Sequence, residues 1–157
     1  MNNLKRLAQL ILAYLELEHQ YAQARFSGYH GFGKIRFADE LLRQWCSSLE
    51  LNPEQYQVEL IQVDGDLTAE KHHHENSDAF VVVLGLLHHF PLPSEHFVQL
   101  VAGCWVPAHA ETEIEIPAGT VHGFTILPGY IGVGYFLSIQ TPPIVSVGGA
   151  DDYIRDS

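Results

Sequence analysis

His72-His73-His74-Glu75-Asn76-Ser77-Asp78 is the stretch on which the fold turns, read together with Pro117-Ala118-Gly119-Thr120-Val121-His122 further along. His72 and His74 are two apart, so on a strand they share a face. Asp78 follows across a short bend. In the second stretch a tight turn feeds a strand that starts near His122. Two imidazoles from one strand, a third from another and a nearby carboxylate are the ingredients of a transition-metal site. A histidine-rich tract alone can be no more than a solvated polar run. The second stretch is what lifts the first above that reading.

Outward from these motifs the chain reads as β. Tyr56–Val63, Phe80–Leu87, Phe97–Trp105, Thr112–Ile116, Val121–Leu127 and Tyr130–Ser138 are rich in Val, Ile, Phe and Tyr. Turn signals punctuate them: Asp64-Gly65-Asp66, Pro91-Leu92-Pro93, Pro117-Ala118-Gly119, Pro128-Gly129 and Pro142-Pro143. Short strands separated in this way predict a sandwich or a barrel. No internal repeat suggests a propeller or a solenoid.

The two motifs together resemble the cupin family. His72, His74, Asp78 and Gly85 stand at the spacing of its first motif, and Pro117, Gly119 and His122 form the core of its second. The resemblance covers roughly residues 56–140. It implies a mainly β, double-stranded β-helix (jelly-roll) barrel with His72, His74, Asp78 and His122 as metal ligands. The implied cofactor is one divalent transition metal ion, iron first, with manganese, nickel or zinc as alternatives. The chain departs from the family pattern at several positions. Asp78 stands where Glu is usual, Ile126 where Asn is usual and Glu111 where Gly is usual, and Gly65 sits one residue early. Asp is a methylene shorter than Glu, so Asp78 is either a ligand or a group that orients one. Without it, a three-histidine face results.

The N-terminal third is helical in pattern. Leu4, Leu7, Ile11, Tyr14 and Leu15 recur at three- and four-residue spacing, predicting an amphipathic helix over 3–24. A Gly-rich connection, Ser27 to Gly33, lacks the Gly-Lys-Ser/Thr of a phosphate loop and reads as a plain loop. A second helix over 37–48 turns Leu41, Leu42 and Trp45 inward, and Asn52-Pro53 ends it. Lys5, Arg6 and the apolar run after them outline a secretory signal, but Gln9, Glu16, Glu18, His19 and Gln20 interrupt that template. The run is also too short to span a bilayer, which takes about 20 apolar residues. The expected organisation is a helical extension over 1–53, a barrel over 54–147 and a polar tail over 148–157, within one structural domain.

Composition narrows the function classes. With 8 Lys and Arg against 19 Asp and Glu, the formal charge is −11, which excludes a basic nucleic-acid footprint and an anionic membrane partner. Cys46 and Cys104 are far apart with no paired-cysteine motif, so a reducing, cytoplasmic setting is expected and Cys104 reads as a small buried hydrophobe. Alternation sets Phe124 and Ile126 on the same face as His122. With Phe80 and Tyr135 they make the expected substrate pocket, an apolar cavity with one metal-centred polar focus. Glu75, His88 and Tyr135 are the candidate bases.

The leading expectation is a mononuclear non-haem iron dioxygenase acting on a small organic molecule, a thiol included. The alternatives are a metal-dependent isomerase or lyase of a sugar or hydroxy acid, and a non-catalytic metal- or ligand-binding module. An isomerase or lyase calls for polar and cationic residues in the cavity. Lys71 is the only Lys or Arg between Gln44 and Asp152, which counts against that reading. An amphipathic helix beside a barrel leaves apolar surface to cover, so a homodimer is expected.

Overall fold

The computed structural model describes residues 1–18, 33–64, 71–144 and the backbone of 154–155. In chain order these are α1 (Asn2–Leu17), β1 (Gly33–Arg36), α2 (Asp39–Ser48), β2 (Gln57–Asp64), β3 (His72–His73), β4 (Asp78–Val83), β5 (Phe97–Val101), β6 (Cys104–Pro107), β7 (Glu113–Ile116), β8 (His122–Ile126), β9 (Val133–Thr141) and β10 (Ile154–Arg155). Single 3₁₀ turns lie at Pro53–Gln55 and Leu86–His88. The strands form two five-stranded sheets, ordered β1-β2-β9-β4-β7 and β10-β3-β8-β5-β6, with every pair antiparallel.

Both faces of the first sheet carry buried apolar residues, which is why much of its sequence reads as hydrophobic runs. Val58, Leu60, Phe80, Val82, Leu137 and Ile139 face the helices, where Leu4, Leu7, Ala8, Ile11 and Leu15 of α1 and Trp45 and Cys46 of α2 complete one core. Ile61, Val63, Ala79, Val81, Val83 and Phe136 face the other way and meet Phe97, Phe124 and Ile126 of the second sheet in a second core. That second core is the barrel interior. Tyr14, Phe37 and Trp45 lock the helices together edge to face, with Trp45 5.1 Å from Phe37 and 5.3 Å from Tyr14 between ring centroids.

The structure redraws several expected boundaries. α1 ends at Leu17, and residues 19–24 of the expected helix, like the Gly-rich connection before Gly33, lie outside the described residues. Residues 33–36, not expected to be ordered as a strand, pair with β2 at the edge of the first sheet. The expected strand 97–105 is a hairpin, because Ala102 and Gly103 both take positive φ (51° and 88°), the signature of a two-residue turn of the I′ type. Leu86 and Leu87, placed at the end of a strand by sequence, lie with His88 in a 3₁₀ turn. Cys104 is exposed on the edge strand β6, not buried. Ile154 and Arg155 of the tail pair with His73 and His72. Among the described residues, no helix is long and apolar enough to cross a membrane.

Candidate metal centre

His72 and His122 are direct cross-strand partners, one on β3 and one at the start of β8. His74 follows β3 and is buried. The three rings converge: centroids are 4.2 Å apart for His72–His122, 5.0 Å for His72–His74 and 5.2 Å for His74–His122. One nitrogen from each ring can be chosen so that all lie within 4.8 Å of one another. Nitrogens bound to one ion at about 2.0–2.1 Å stand roughly 3–4 Å apart, so a small ring rotation completes a coordination face.

The chemistry of the donors fits a metal. His122 Nδ1 lies 2.9 Å from the Thr120 carbonyl oxygen. That carbonyl can only accept, so it fixes the proton on Nδ1 and leaves the Nε2 lone pair for an ion. Burial, followed by the neighbouring His72 ring, lowers the His122 pKa to about 4, so the imidazole is neutral at physiological pH. A neutral, oriented, water-shielded imidazole is what a transition ion requires of a ligand.

The turn that delivers His122 is itself clamped. Thr120 N–H closes it on Pro117 O at 3.1 Å, and Gly119 takes φ 84°, which suits glycine. Gly119 N–H donates to His74 O at 2.8 Å, and Ala118 N–H donates to Asp78 Oδ1 at 2.8 Å. Asp78, expected as a fourth ligand, therefore holds the turn, and the group of potential ligands that the structure brings together is His72, His74 and His122. That bond ties β4 to the turn that leads into the strand carrying His122.

The expected pocket divides in the same way. Phe124 and Ile126 lie in the barrel interior, with Phe124 stacked on Phe136 (4.2 Å) and on Phe97 (5.8 Å). Phe80 lies in the helix-side core, and Tyr135 packs against that core with its ring 5.2 Å from Phe90. Neither lines the barrel. The register explains the error: Tyr135 pairs with Gln62 and Phe80 with Ile139, all on the outer face, whereas Phe136 pairs with Ile61 on the inner one. Of the candidate bases, Glu75 is exposed at the bend and Tyr135 faces the helices. His88 sits in the 3₁₀ turn beside α1, its Nδ1 2.9 Å from Glu111 Oε2 without the alignment of a hydrogen bond.

The interior is also more polar than expected. By the same alternation Gln57, Glu59, Ser138 and Gln140 point inward, and all four are buried. Gln57 pairs across the ladder with Gln140, and Glu59 with Ser138. Gln99, paired with Phe124, joins them from the second sheet. At the edge, Arg36 pairs with Glu59 and Lys34 with Ile61, so both cations belong to the inner face. Arg36 Nε lies 3.8 Å and Lys34 Nζ 4.0 Å from Glu59 Oε2. One sequence signal could have found this wall: polar residues at every second position, Gln57 and Glu59, then Ser138 and Gln140, inside otherwise apolar strands.

Register also gives the height of this wall. Phe124 and Phe136 stack, so they share a level of the barrel. One step along β8 from Phe124 is His122, and one step along β9 from Phe136 is Ser138 beside Glu59. Both steps run toward the end where Ala118 meets Asp78. The barrel thus has an aromatic floor of Phe97, Phe124 and Phe136, with a polar storey above it. There the histidines face Glu59 and Ser138 across an inter-sheet gap of about 10 Å.

Two antiparallel sheets closed face to face, with the histidines inside, match solved structures. A cupin-superfamily sugar phosphate isomerase from Silicibacter pomeroyi aligns with a TM-score of 0.50 at 19% identity, over 73% of this chain and 61% of that one. This chain has the cupin fold. KdgF from Halomonas sp. aligns with a TM-score of 0.50 at 14% identity, over 71% of this chain and 79% of that one. A variant of Streptomyces PAC13 with uridine aligns with a TM-score of 0.51 at 14% identity, over 81% and 78%. No protein-family model matches this chain, and no curated protein does. At such identities the likeness shows the fold alone, and the reaction has to be argued from the chamber.

Proposed function

We propose that this cupin is a metal-dependent isomerase or lyase acting on a small hydroxyl-bearing molecule. The observation that carries the reading is the buried polar row Gln57, Glu59, Ser138 and Gln140 on the wall facing His72, His74 and His122. Burying polar side chains costs free energy unless they are hydrogen-bonded, and a polar row inside an otherwise apolar barrel is the kind of focus on which a small-molecule site is built. Lys34 and Arg36, which β1 brings to the same wall, remove the earlier objection that the barrel lacks cations.

His72, His74 and His122 would hold the ion, and a bound divalent ion supplies Lewis-acid polarisation of a substrate oxygen. The remaining work belongs to the chain. The Phe97, Phe124 and Phe136 floor excludes water below the reacting atoms. Gln57 Nε2 holds Glu59 Oε1 at 2.7 Å, which orients the carboxylate. Glu59 Oε2 takes a proton from the carbon next to a carbonyl and returns it to a neighbouring atom of the same substrate, so the proton count closes without an oxidant. Solvent-deuterium exchange into candidate hydroxy-carbonyl substrates, followed by NMR, tests this. Exchange should occur with the loaded protein and fall about 10²–10⁴-fold in Glu59→Gln. A metal-loaded protein inert to every hydroxy-carbonyl compound, but consuming O₂ with a thiol, would refute it.

That outcome is the second reading, an iron dioxygenase. The observation favouring it is the histidine-only ligand set left once Asp78 is engaged with Ala118. Metal analysis of protein prepared without nickel resin, combined with O₂ uptake, separates the two. The homodimer stays a proposal that has lost its first argument, because α1 buries its apolar stripe on its own barrel. Light scattering at micromolar concentration decides it.

A further inference from the structure

Four strands end the two sheets, and three of them carry charge. β1 has Lys34 and Arg36, β7 has Glu113 and Glu115, and β10 has Arg155. Charge on an edge keeps other strands from pairing with it. β6, Cys104-Trp105-Val106-Pro107, is the exception: it has no charged residue, and all four positions are exposed. No Asp, Glu, Lys or Arg occurs between Glu95 and Glu111, in a chain whose net charge is −11. Trp105 and Val106 are 42% and 40% exposed, on opposite faces of the strand.

The register fixes which backbone groups this edge offers. Ala108 N–H donates to Phe97 O at 2.8 Å, and Gln99–Val106 and Val101–Cys104 continue that series of hydrogen-bonded pairs toward the turn at Ala102-Gly103. Trp105, opposite Leu100, and Pro107, opposite Val98, fall on the non-bonded pairs, so their backbone groups point away from β5. Pro107 has no N–H. Trp105 therefore supplies the one outward N–H of β6, with its own C=O beside it. One donor is too little for a foreign extended peptide, which is held by main-chain bonds along its length. A two-fold axis at that position uses the same donor and acceptor twice.

We propose that β6 pairs antiparallel with β6 of a second copy of this chain, with Trp105 opposite Trp105. Each Trp105 N–H then donates to the C=O of the other, and the two indoles lie side by side on one face. Cys104 stands opposite the partner's Val106 on the other face. Two five-stranded sheets become one continuous sheet. Two negatively charged chains meet where neither carries charge, so repulsion is least along this edge. Two strands of four residues make a small contact, in the weak and transient class below about 1,200 Å². The pairing does not depend on the reaction assigned to the barrel, and it gives the homodimer an interface that α1 does not.

The experiment is analytical ultracentrifugation of the full chain from about 10 to 500 µM, the range of a weak interface, where a reversible monomer–dimer equilibrium is expected. Trp105→Lys puts a charge on the edge and should weaken association at least tenfold, with Tm unchanged because the residue is exposed. Ile131→Lys, 88% exposed in the loop between β8 and β9, should leave association as it is. Cross-linking reads the register. Val106→Cys sets a thiol opposite the partner's Cys104, within disulfide reach for a non-bonded pair, whereas two Cys104 residues would stand about 8 Å apart, beyond it. Under mild oxidation Val106→Cys should give covalent dimer at least tenfold faster than the native chain, and Val106→Cys combined with Cys104→Ser should not. The other cysteine, Cys46, is buried. A monomer at every concentration, a dimer indifferent to Trp105→Lys, or the absence of the Val106→Cys cross-link overturns the proposal. A dimer lost in Ile131→Lys and kept in Trp105→Lys also overturns it, and moves the interface to the β8–β9 loop.

Discussion

Asp78 shows how one methylene redirects a residue. A carboxylate at the family's ligand position reaches the backbone of the turn at Ala118, and so sets where His122 starts. Its removal should therefore weaken the centre without abolishing it. Asp78→Ala is expected to cost about 1 kcal/mol of stability, the worth of one hydrogen bond. It should lower metal affinity about 10–100-fold, the usual penalty for losing a group that orients a ligand. His72→Ala, His74→Ala and His122→Ala should each lose stoichiometric metal. Thermal melts and metal analysis of the four variants check this, and an Asp78→Ala protein as metal-poor as the histidine variants would make Asp78 a ligand after all. His122 also sets an acid limit. In the metal-free chain it titrates at about 4 when folded, against about 6.5 when unfolded. Between those values the unfolded chain holds more protons, so stability rises with pH. The contribution is complete above about 6.5 and is lost as pH falls to about 4. Urea midpoints across that window should fall with acid more steeply in the native chain than in His122→Asn.

At the level of strands and helices, the aromatic floor depends on a missing side chain. Gly134 on β9 faces the interior like Phe136, and a Cβ there would lie 2.5 Å from the Phe97 ring. Gly134→Ala should cost about 1–3 kcal/mol by overpacking and tilt the floor, which denaturant melts and near-ultraviolet dichroism can read. This element also shows what the sequence disclosed and what it withheld. The two histidine motifs gave the barrel and the three converging imidazoles, because spacing of two on a strand and a glycine turn before His122 are local geometry. The strands around them were visible from Val, Ile and Phe. Which face Phe80 and Tyr135 take was not, because the stretches around them, Ala79–Leu84 and Val133–Leu137, are covered on both sides and show no clear alternation of hydrophobicity. Phe80 and Tyr135 were therefore assigned to the wrong side. β1 was hidden for a different reason: Gly33-Lys34-Ile35-Arg36 is short, and only its pairing with Gln62 to Glu59 makes it a strand. With it went the two cations that alter the functional argument.

For the molecule as a whole, charge and shape act together. A net charge of −11 surrounds the His72, His74 and His122 cluster, so divalent cations are drawn in and anionic metabolites held off. The association rate of Mn²⁺, Zn²⁺ or Co²⁺ should fall as salt rises from 0.01 to 0.15 M, where the screening length shrinks from about 30 to 8 Å. Stopped-flow measurement of loading reads this, and a salt-independent rate would mean that local chemistry alone governs entry. A practical consequence follows from the two-residue strand β3. It is held between β8 on one side and Ile154–Arg155 on the other, so that short β10 backbone braces the strand that bears His72. A chain shortened to end before residue 154 would strip β3 of one of its two neighbours and loosen the histidine spacing from behind.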